Sequence, residues 1–350
     1  MKPVIFCGGV GSKMWPLSRA SLPKHFQPLL NGQSLFQKNY QALRLKFAIK
    51  DIFVETTSEQ TGLVRKQVPE IPIKNIFIEP QMRNHGPAMG LMAIRLSAID
   101  PDDPFVLIQA DVLRQPEKKF LAFLDQVEEL IKEKKCLVTG GIRQKSLVGG
   151  VDYLVAKKSQ RNVYQMEEWL GRDQKIDGLD LTDRSVFIHA NHYAWTPRLL
   201  LDSYRRLAPN WYQPLMEIAR CLGTAQEESV IAREYAKMDK GPVELVTKLE
   251  LPKGYLVELP FDWTDFGTWE SLYQFLKKSK QIPKDPDFFS LDSQNCYLHR
   301  SGKKFVALLG VKDLIVVDTG DALLICQQGS GASVGKVVDY LKENNRQELL

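Results

Sequence analysis

Through the first 140 residues, short apolar runs of strand type alternate with longer stretches whose apolar positions recur at helical spacing. Pro3 to Cys7, Ile52 to Glu55, Asn75 to Ile78, Phe105 to Ala110 and Cys136 to Gly140 predict strands. Between them, Ser34 to Ala48, Ser58 to Val68, Pro87 to Ile99 and Pro116 to Glu133 predict helices, with Ser34 as an N-cap and each proline in a first turn. Regular strand–helix alternation builds a mostly parallel sheet with helices on both faces, an α/β class. Ligands of such sheets lie beyond the carboxyl ends of the strands, so the loops that follow each strand are where chemistry is sought.

From about residue 150 to 280 the pattern is less regular. Tyr153 to Ala156, Val163 to Glu167, Val186 to Tyr193 and Tyr255 to Leu259 read as strands, and Pro197 to Leu207 and Thr268 to Lys277 as helices. The stretch QIPKDPDFFSLDSQ then combines two prolines, charge and no helical period, which marks a boundary. It separates a domain over 1–280 from a smaller unit over 290–350. In that unit tightly spaced apolar runs (Cys296 to Leu298, Phe305 to Leu309, Leu314 to Val317, Ala322 to Cys326) alternate with SGKK, VKD and TGD. Short strands joined by such turns predict a small β unit, closed here by a helix from Ser333 to about Glu343.

Composition narrows the function classes. The 350 residues are 44% hydrophobic and 25% charged, as in ordinary globular proteins, and Lys+Arg 47 against Asp+Glu 42 leaves only +5. That excess is spread along the chain, whereas a nucleic-acid binder concentrates its basic residues, so nucleic acid is not an expected partner and small anions are. Five scattered cysteines form no CxxC pair, which predicts neither a disulfide framework nor a zinc site and points to a reducing compartment. MKPVIFCGG lacks the form of a secretory leader, and no apolar run approaches the roughly 18 residues of a membrane span. A cytoplasmic protein without a membrane partner is expected.

The first strand runs into GGVGSKMWPLSR, Gly8 to Arg19. Gly8, Gly9 and Gly11 with Ser12 would let main-chain N–H groups approach a phosphate chain, and Lys13, Arg19 and Lys24 supply positive charge. The loop is no Walker A motif, because Ser12 precedes the lysine. Nor is it a dinucleotide fingerprint, because Met14 stands where a third glycine belongs, so an oxidoreductase reading falls. On this loop alone a plain strand-to-helix turn stays open beside a phosphate cradle.

Several segments together resemble one family. GGVGSKMWPLSRASLPKHF is similar to the GGxGxRLWPLSR…PKQF signature of sugar-nucleotide pyrophosphorylases, specifically the mannose-1-phosphate guanylyltransferases. EPQMRNHGPAMG, IQADVLR, FDWTDFGTW and LLGVKDLIVVDTGDALLI resemble further family segments in the right order, over nearly the whole chain. The resemblance implies a Rossmann-like nucleotidyltransferase sheet of glycosyltransferase-A type, with a C-terminal unit like a short left-handed β-helix through which subunits pair as a homodimer. It implies GTP and a sugar 1-phosphate as substrates, a GDP-sugar and pyrophosphate as products, and Mg²⁺ as cofactor.

The resemblance also assigns residues. Asp111, which follows the strand FVLIQA, and Asp265, about 150 residues later, match the metal-binding aspartates. Seen alone, they would read as an N-cap and a turn residue. Lys24 matches a phosphate-contacting lysine, and Lys13 stands where the family has arginine, keeping the charge and losing the planar fork. Arg83 and Asn84 open the RNHGPA loop, which implies contacts to base and ribose. Gly150, Glu168 and Asn191 match sugar-side positions, while Trp169 replaces the lysine that meets the sugar phosphate. These two departures motivate a second reading, a non-catalytic relative that binds GDP-sugar or GTP and regulates a partner. Paired metal ligands favour the enzyme.

Overall fold

The computed structural model describes residues 1–144, 151–172, 184–283 and 285–350. Packing groups the chain into two compact units, one of Met1–Gly8, Asn39–Ala110 and Arg114–Trp263, the other of Gly9–Lys38, Asp111–Leu113 and Thr264–Leu350. The strands are, in chain order, β1 (Lys2–Phe6), β2 (Phe53–Thr57), β3 (Ile76–Glu79), β4 (Phe105–Gln109), β5 (Val112–Gln115), β6 (Val138–Gln144), β7 (Tyr153–Gln160), β8 (Val163–Leu170), β9 (Ser185–His189), β10 (Ala194–Trp195), β11 (Tyr255–Glu258) and β12 (Asp262–Asp265).

The first unit is built on a ten-stranded sheet in the order β11-β8-β7-β9-β6-β10-β4-β1-β2-β3. The run β4-β1-β2-β3 is parallel throughout, as the strand–helix alternation predicts. The other half is mostly antiparallel, because β7 and β8 form a hairpin and β10 is inserted against both its neighbours. Residues of β1, β2 and β4 are buried on both faces of the sheet, which is why β1 and β4 read as mainly apolar runs, while β2 buries Glu55, Thr56 and Thr57.

Helices α1 (Leu35–Arg44), α2 (Thr61–Gln67), α3 (His85–Ser97) and α4 (Glu117–Lys134) follow the predicted order. Ser34 caps α1 as its sequence suggests: Ser34 Oγ accepts from Gln37 N, and Gln37 Oε1 accepts from Ser34 N, both at 3.1 Å. Helices α5 (Pro197–Leu207), α6 (Pro209–Cys221), α7 (Glu227–Tyr235) and α8 (Glu244–Glu250) complete this unit. The core joins Val4, Phe53 and Phe105 of the sheet to Met89 and Met92 of α3 and to Tyr204, Trp211 and Leu215. Gly86 and Gly90 let α3 meet α6 closely, since a Cβ on Gly86 would stand 2.2 Å from Trp211 and one on Gly90 2.4 Å from Leu215.

The second unit holds the glycine loop, helix α9 (Trp269–Lys278), strands β13 (Phe288–Leu291), β14 (Tyr297–Arg300), β15 (Val306–Leu309), β16 (Leu314–Asp318) and β17 (Leu323–Gln327), and helix α10 (Gly335–Glu343). Phe288 pairs in parallel with Val306 and Tyr297 with Ile315, each eighteen residues on, so the chain coils with one turn per eighteen residues. Its core is Trp269, Tyr297, Ile315, Val317 and Leu341 with Met14 and Trp15 of the loop. Among the described residues no helix is long and apolar enough to cross a membrane.

Candidate active site

In the second unit the glycine loop turns at Gly11, whose φ of 80° lies in the left-handed region that glycine occupies freely. A Cβ there would fall 2.5 Å from Lys24 Cγ, so Gly11 is also what allows the lysine stem to lie against the loop. Ser12–Met14 form one 3₁₀ turn, with Met14 N donating to Gly11 O at 3.0 Å and Trp15 N to Ser12 O at 3.1 Å. Gly9 has open space where a side chain would be, and Lys13 is exposed. Gly8 ends in the first unit, beside Glu55 and Glu79. Arg19 is committed elsewhere, to both carboxylate oxygens of Asp321 at 3.1 Å.

Lys24 and the two predicted aspartates come together. Lys24 Nζ donates to Asp111 Oδ2 at 2.7 Å and stands 3.9 Å from Asp265 Oδ1. Phe266 N donates to Asp111 O at 3.4 Å, which brings two segments that are about 150 residues apart side by side. Burial pushes the Asp111 carboxyl up, but the charge and hydrogen bond of Lys24, with His25 behind, outweigh it and hold the group below its ordinary range. Asp265 goes the other way: burial and then the charge of Asp111 raise it, only partly offset by Lys24 and Lys13. One ammonium thus serves two carboxylates and satisfies one. Two convergent carboxylates, only one of them within hydrogen-bond reach of an ammonium, fit Mg²⁺, which takes one or two carboxylates and completes its shell with water and phosphate oxygens. Among the described residues no cluster of three or more His, Cys, Asp or Glu forms an all-protein metal cage.

The RNHGPA loop belongs to the first unit. Arg83 N donates to Glu79 Oε1 at 2.8 Å, Arg83 Nη1 to Met238 O, and Gly241 N to Arg83 O at 3.1 Å, so the loop is stitched down on both sides. Asn84, at φ 70°, caps α3 by accepting from His85 N at 2.7 Å. Helix α3 therefore starts, as predicted, directly after the strand and loop.

A cavity of about 570 Å³ opens beside this loop, lined by Asn84, His85, Asp152, Trp169, Arg172, Asn191, Glu244 and Lys248 among others. Asp152 is neutralised by Arg172, accepting from its N at 3.0 Å and from Nη2 at 2.8 Å. Trp169 meets His189 edge-on with ring centroids 4.6 Å apart. Burial, only weakly opposed by Asp152, pushes the His189 imidazole down to about 3, so it is neutral. Glu244 Oε1 accepts from Tyr193 OH at 3.1 Å.

Of the predicted sugar-side residues, Asn191 lines this cavity and Gly150 lies outside the described residues. Glu168 is exposed and does not line it; one step along β8, Trp169 does. Lys248 and Glu244 escaped the reading of the sequence, because ELVTKLE is too short for a clear helical period.

A nucleotidyl transferase family model matches residues 2–282, and a MannoseP isomerase/GMP-like beta-helix domain matches 287–341. The chain belongs to the nucleotidyl transferase family. Curated relatives of this nucleotidyl transferase include mannose-1-phosphate guanylyltransferase of Salmonella muenchen, 29% identical over 99% of this chain and 74% of its own length. The Escherichia coli protein of the same name is 26% identical over 99% and 75%. The resemblance read from the motifs is borne out by these relatives.

In fold, a mannose-1-phosphate geranyltransferase from Thermus thermophilus, so named, superposes with a TM-score of 0.81 at 21% identity, covering 97% of this chain and 99% of its own. A mannose-6-phosphate isomerase from Helicobacter pylori gives 0.59 at 16% identity, covering 75% and 99%.

Proposed function

We propose that this nucleotidyl transferase joins GTP to mannose 1-phosphate, or a close manno-configured sugar 1-phosphate, giving GDP-sugar and pyrophosphate. The relatives named mannose-1-phosphate guanylyltransferase support the substrates. The observation that carries the reading is the ammonium of Lys24 held between Asp111 and Asp265 under a loop that needs glycine at position 11.

A phosphate oxygen of the sugar 1-phosphate attacks the α-phosphorus of GTP, and the bond from that phosphorus to the pyrophosphate oxygen breaks in line. The step needs little covalent help from protein, chiefly alignment and neutralisation of charge growing on the leaving group. In this reading Gly9, Gly11 and Ser12 cradle the triphosphate with main-chain N–H groups, and Lys13 and Lys24 neutralise it. Asp111 and Asp265 would hold Mg²⁺, which neutralises phosphate charge when bound. The Arg83 to Ala88 loop holds base and ribose, and Asn191 a sugar hydroxyl.

Pyrophosphate release from GTP, with Mg²⁺ and a panel of hexose and heptose 1-phosphates, tests the reading. Turnover is expected with at least one manno-configured member. It should fall by roughly a hundredfold or more in Asp111→Ala and in Asp265→Ala, the scale of losing an electrostatic catalytic contact. Binding of GDP-mannose without pyrophosphate release for any member would favour the regulatory reading instead.

A further inference from the structure

Among the described residues, the cations Arg172 and Lys248 line the cavity beside the RNHGPA loop, and their surroundings differ. Arg172 is committed to Asp152 through two hydrogen bonds. Lys248 enters no ion pair among the described residues; its ammonium rests over the indole of Trp169, 5.3 Å from the ring centroid. An aromatic face attracts a cation without taking up its N–H groups, so the Lys248 ammonium, which also feels the charge of Asp152, has donors left for a ligand.

Position follows from the local fold. Lys248 is four residues after Glu244 on α8, so both side chains emerge from one face of the helix, and both line the cavity. Trp169 comes from β8 and is backed by the neutral ring of His189, which leaves Lys248 as the cation on the indole. Gly171 borders the same spot, since a Cβ there would meet Lys248 Nζ and Asp152 Oδ1 each at 3.9 Å, ordinary van der Waals contact. Asn84, Asn191 and the Glu244 carboxylate as hydrogen-bonding groups around an ammonium that enters no ion pair suit a polyhydroxylated molecule with a phosphate monoester.

We propose that Lys248, seated on Trp169, is the residue that binds the phosphate of the sugar 1-phosphate. The proposal rests on the function proposed above and names a specificity-determining residue for it. Trp169 is then a positioning residue, acting through Lys248.

The test measures binding of mannose 1-phosphate by calorimetry together with KM for each substrate, in wild type, Lys248→Met and Lys248→Arg. Lys248→Met is expected to weaken the sugar phosphate by about ten- to a hundredfold, the range of one lost charge-assisted hydrogen bond, with KM for GTP within about twofold. Lys248→Arg should recover most of the loss, which a purely structural role would not predict. Trp169→Leu should raise the same KM in the wild-type background and add nothing in the Lys248→Met background, the signature of action through one partner.

Unchanged binding and KM in Lys248→Met would overturn the proposal while the enzyme reading stands. Should wild type release no pyrophosphate with any sugar 1-phosphate, the enzyme reading fails and the calorimetry still decides this site. Loss of sugar-phosphate binding on Lys248→Met then supports it, and no binding by wild type overturns it.

Discussion

Lys24 and Gly11 act as one device. The lysine reaches Asp111 at 2.7 Å because its stem occupies the space a side chain at position 11 would fill. Gly11→Ala would remove no charge, yet it places a methyl 2.5 Å from Lys24 Cγ and strains a φ of 80°. The expected result is a loss of kcat/KM of at least about tenfold, since misplacement of a positioned group by an ångström costs that or more. Steady-state kinetics would show it, and unchanged kinetics would mean that the lysine's path along the loop is irrelevant. The glycine pattern and the PK motif were legible in the sequence because each is a local demand of backbone or charge. The conversion of Arg19 from a phosphate candidate into a tie to Asp321 was not, because its partner lies 302 residues away.

Elements show the same division between local and distant causes. The helices announced by caps and prolines, such as α1 and α4, stand within a few residues of their predicted limits. The mostly antiparallel half of the sheet and helices α6 to α8 were missed in detail; α6, for one, takes shape against α3, more than a hundred residues earlier. One consequence at this scale concerns the carboxyl ends of β2 and β3. Glu55 is fully buried and its Oε1 has no hydrogen-bond partner, while Glu79 accepts from Arg83 N and Tyr235 OH. Burial, then the charge of Glu79, raises the Glu55 carboxyl well above its ordinary value.

Between the unfolded and folded pKa the native state therefore binds more protons, so stability is full below the unfolded value and falls as pH rises through that window. Glu55→Gln removes this dependence. Its Tm should exceed that of wild type by about 1–3 °C at pH 8, the order that ~1 kcal/mol moves in a chain of this size, and the gap should close toward pH 4.5. Thermal melts across pH would check it, and a gap that widens in acid would refute the sign.

At the scale of the molecule, the linear pattern alone sets a boundary near residue 280. Packing adds what no linear reading contains: the glycine loop shares one compact unit with the C-terminal β coil. The ties are specific. Trp15 Nε1 donates to Leu349 O at 2.8 Å, and Trp269 Nε1 donates to Trp15 O at 3.0 Å, so the residue that ends the loop's 3₁₀ turn is held from both sides. Glu270, next to Trp269, accepts from Gly329 N at 3.0 Å and Gly331 N at 2.8 Å, which fixes the coil's last turn to the same helix.

The C-terminal unit carries none of the proposed chemistry, but it braces the loop that does. Trp15→Phe tests this: it keeps an aromatic ring in the core but removes the indole donor along with part of the buried ring system. If the brace matters, KM for GTP should rise by about fivefold, roughly the 1 kcal/mol of one hydrogen bond. KM for the sugar phosphate should stay as it was, because the cavity of Trp169 and Lys248 belongs to the other unit. A fall in Tm with both KM values unchanged would reduce Trp15 to a core residue of the β coil and leave the loop to hold its own shape.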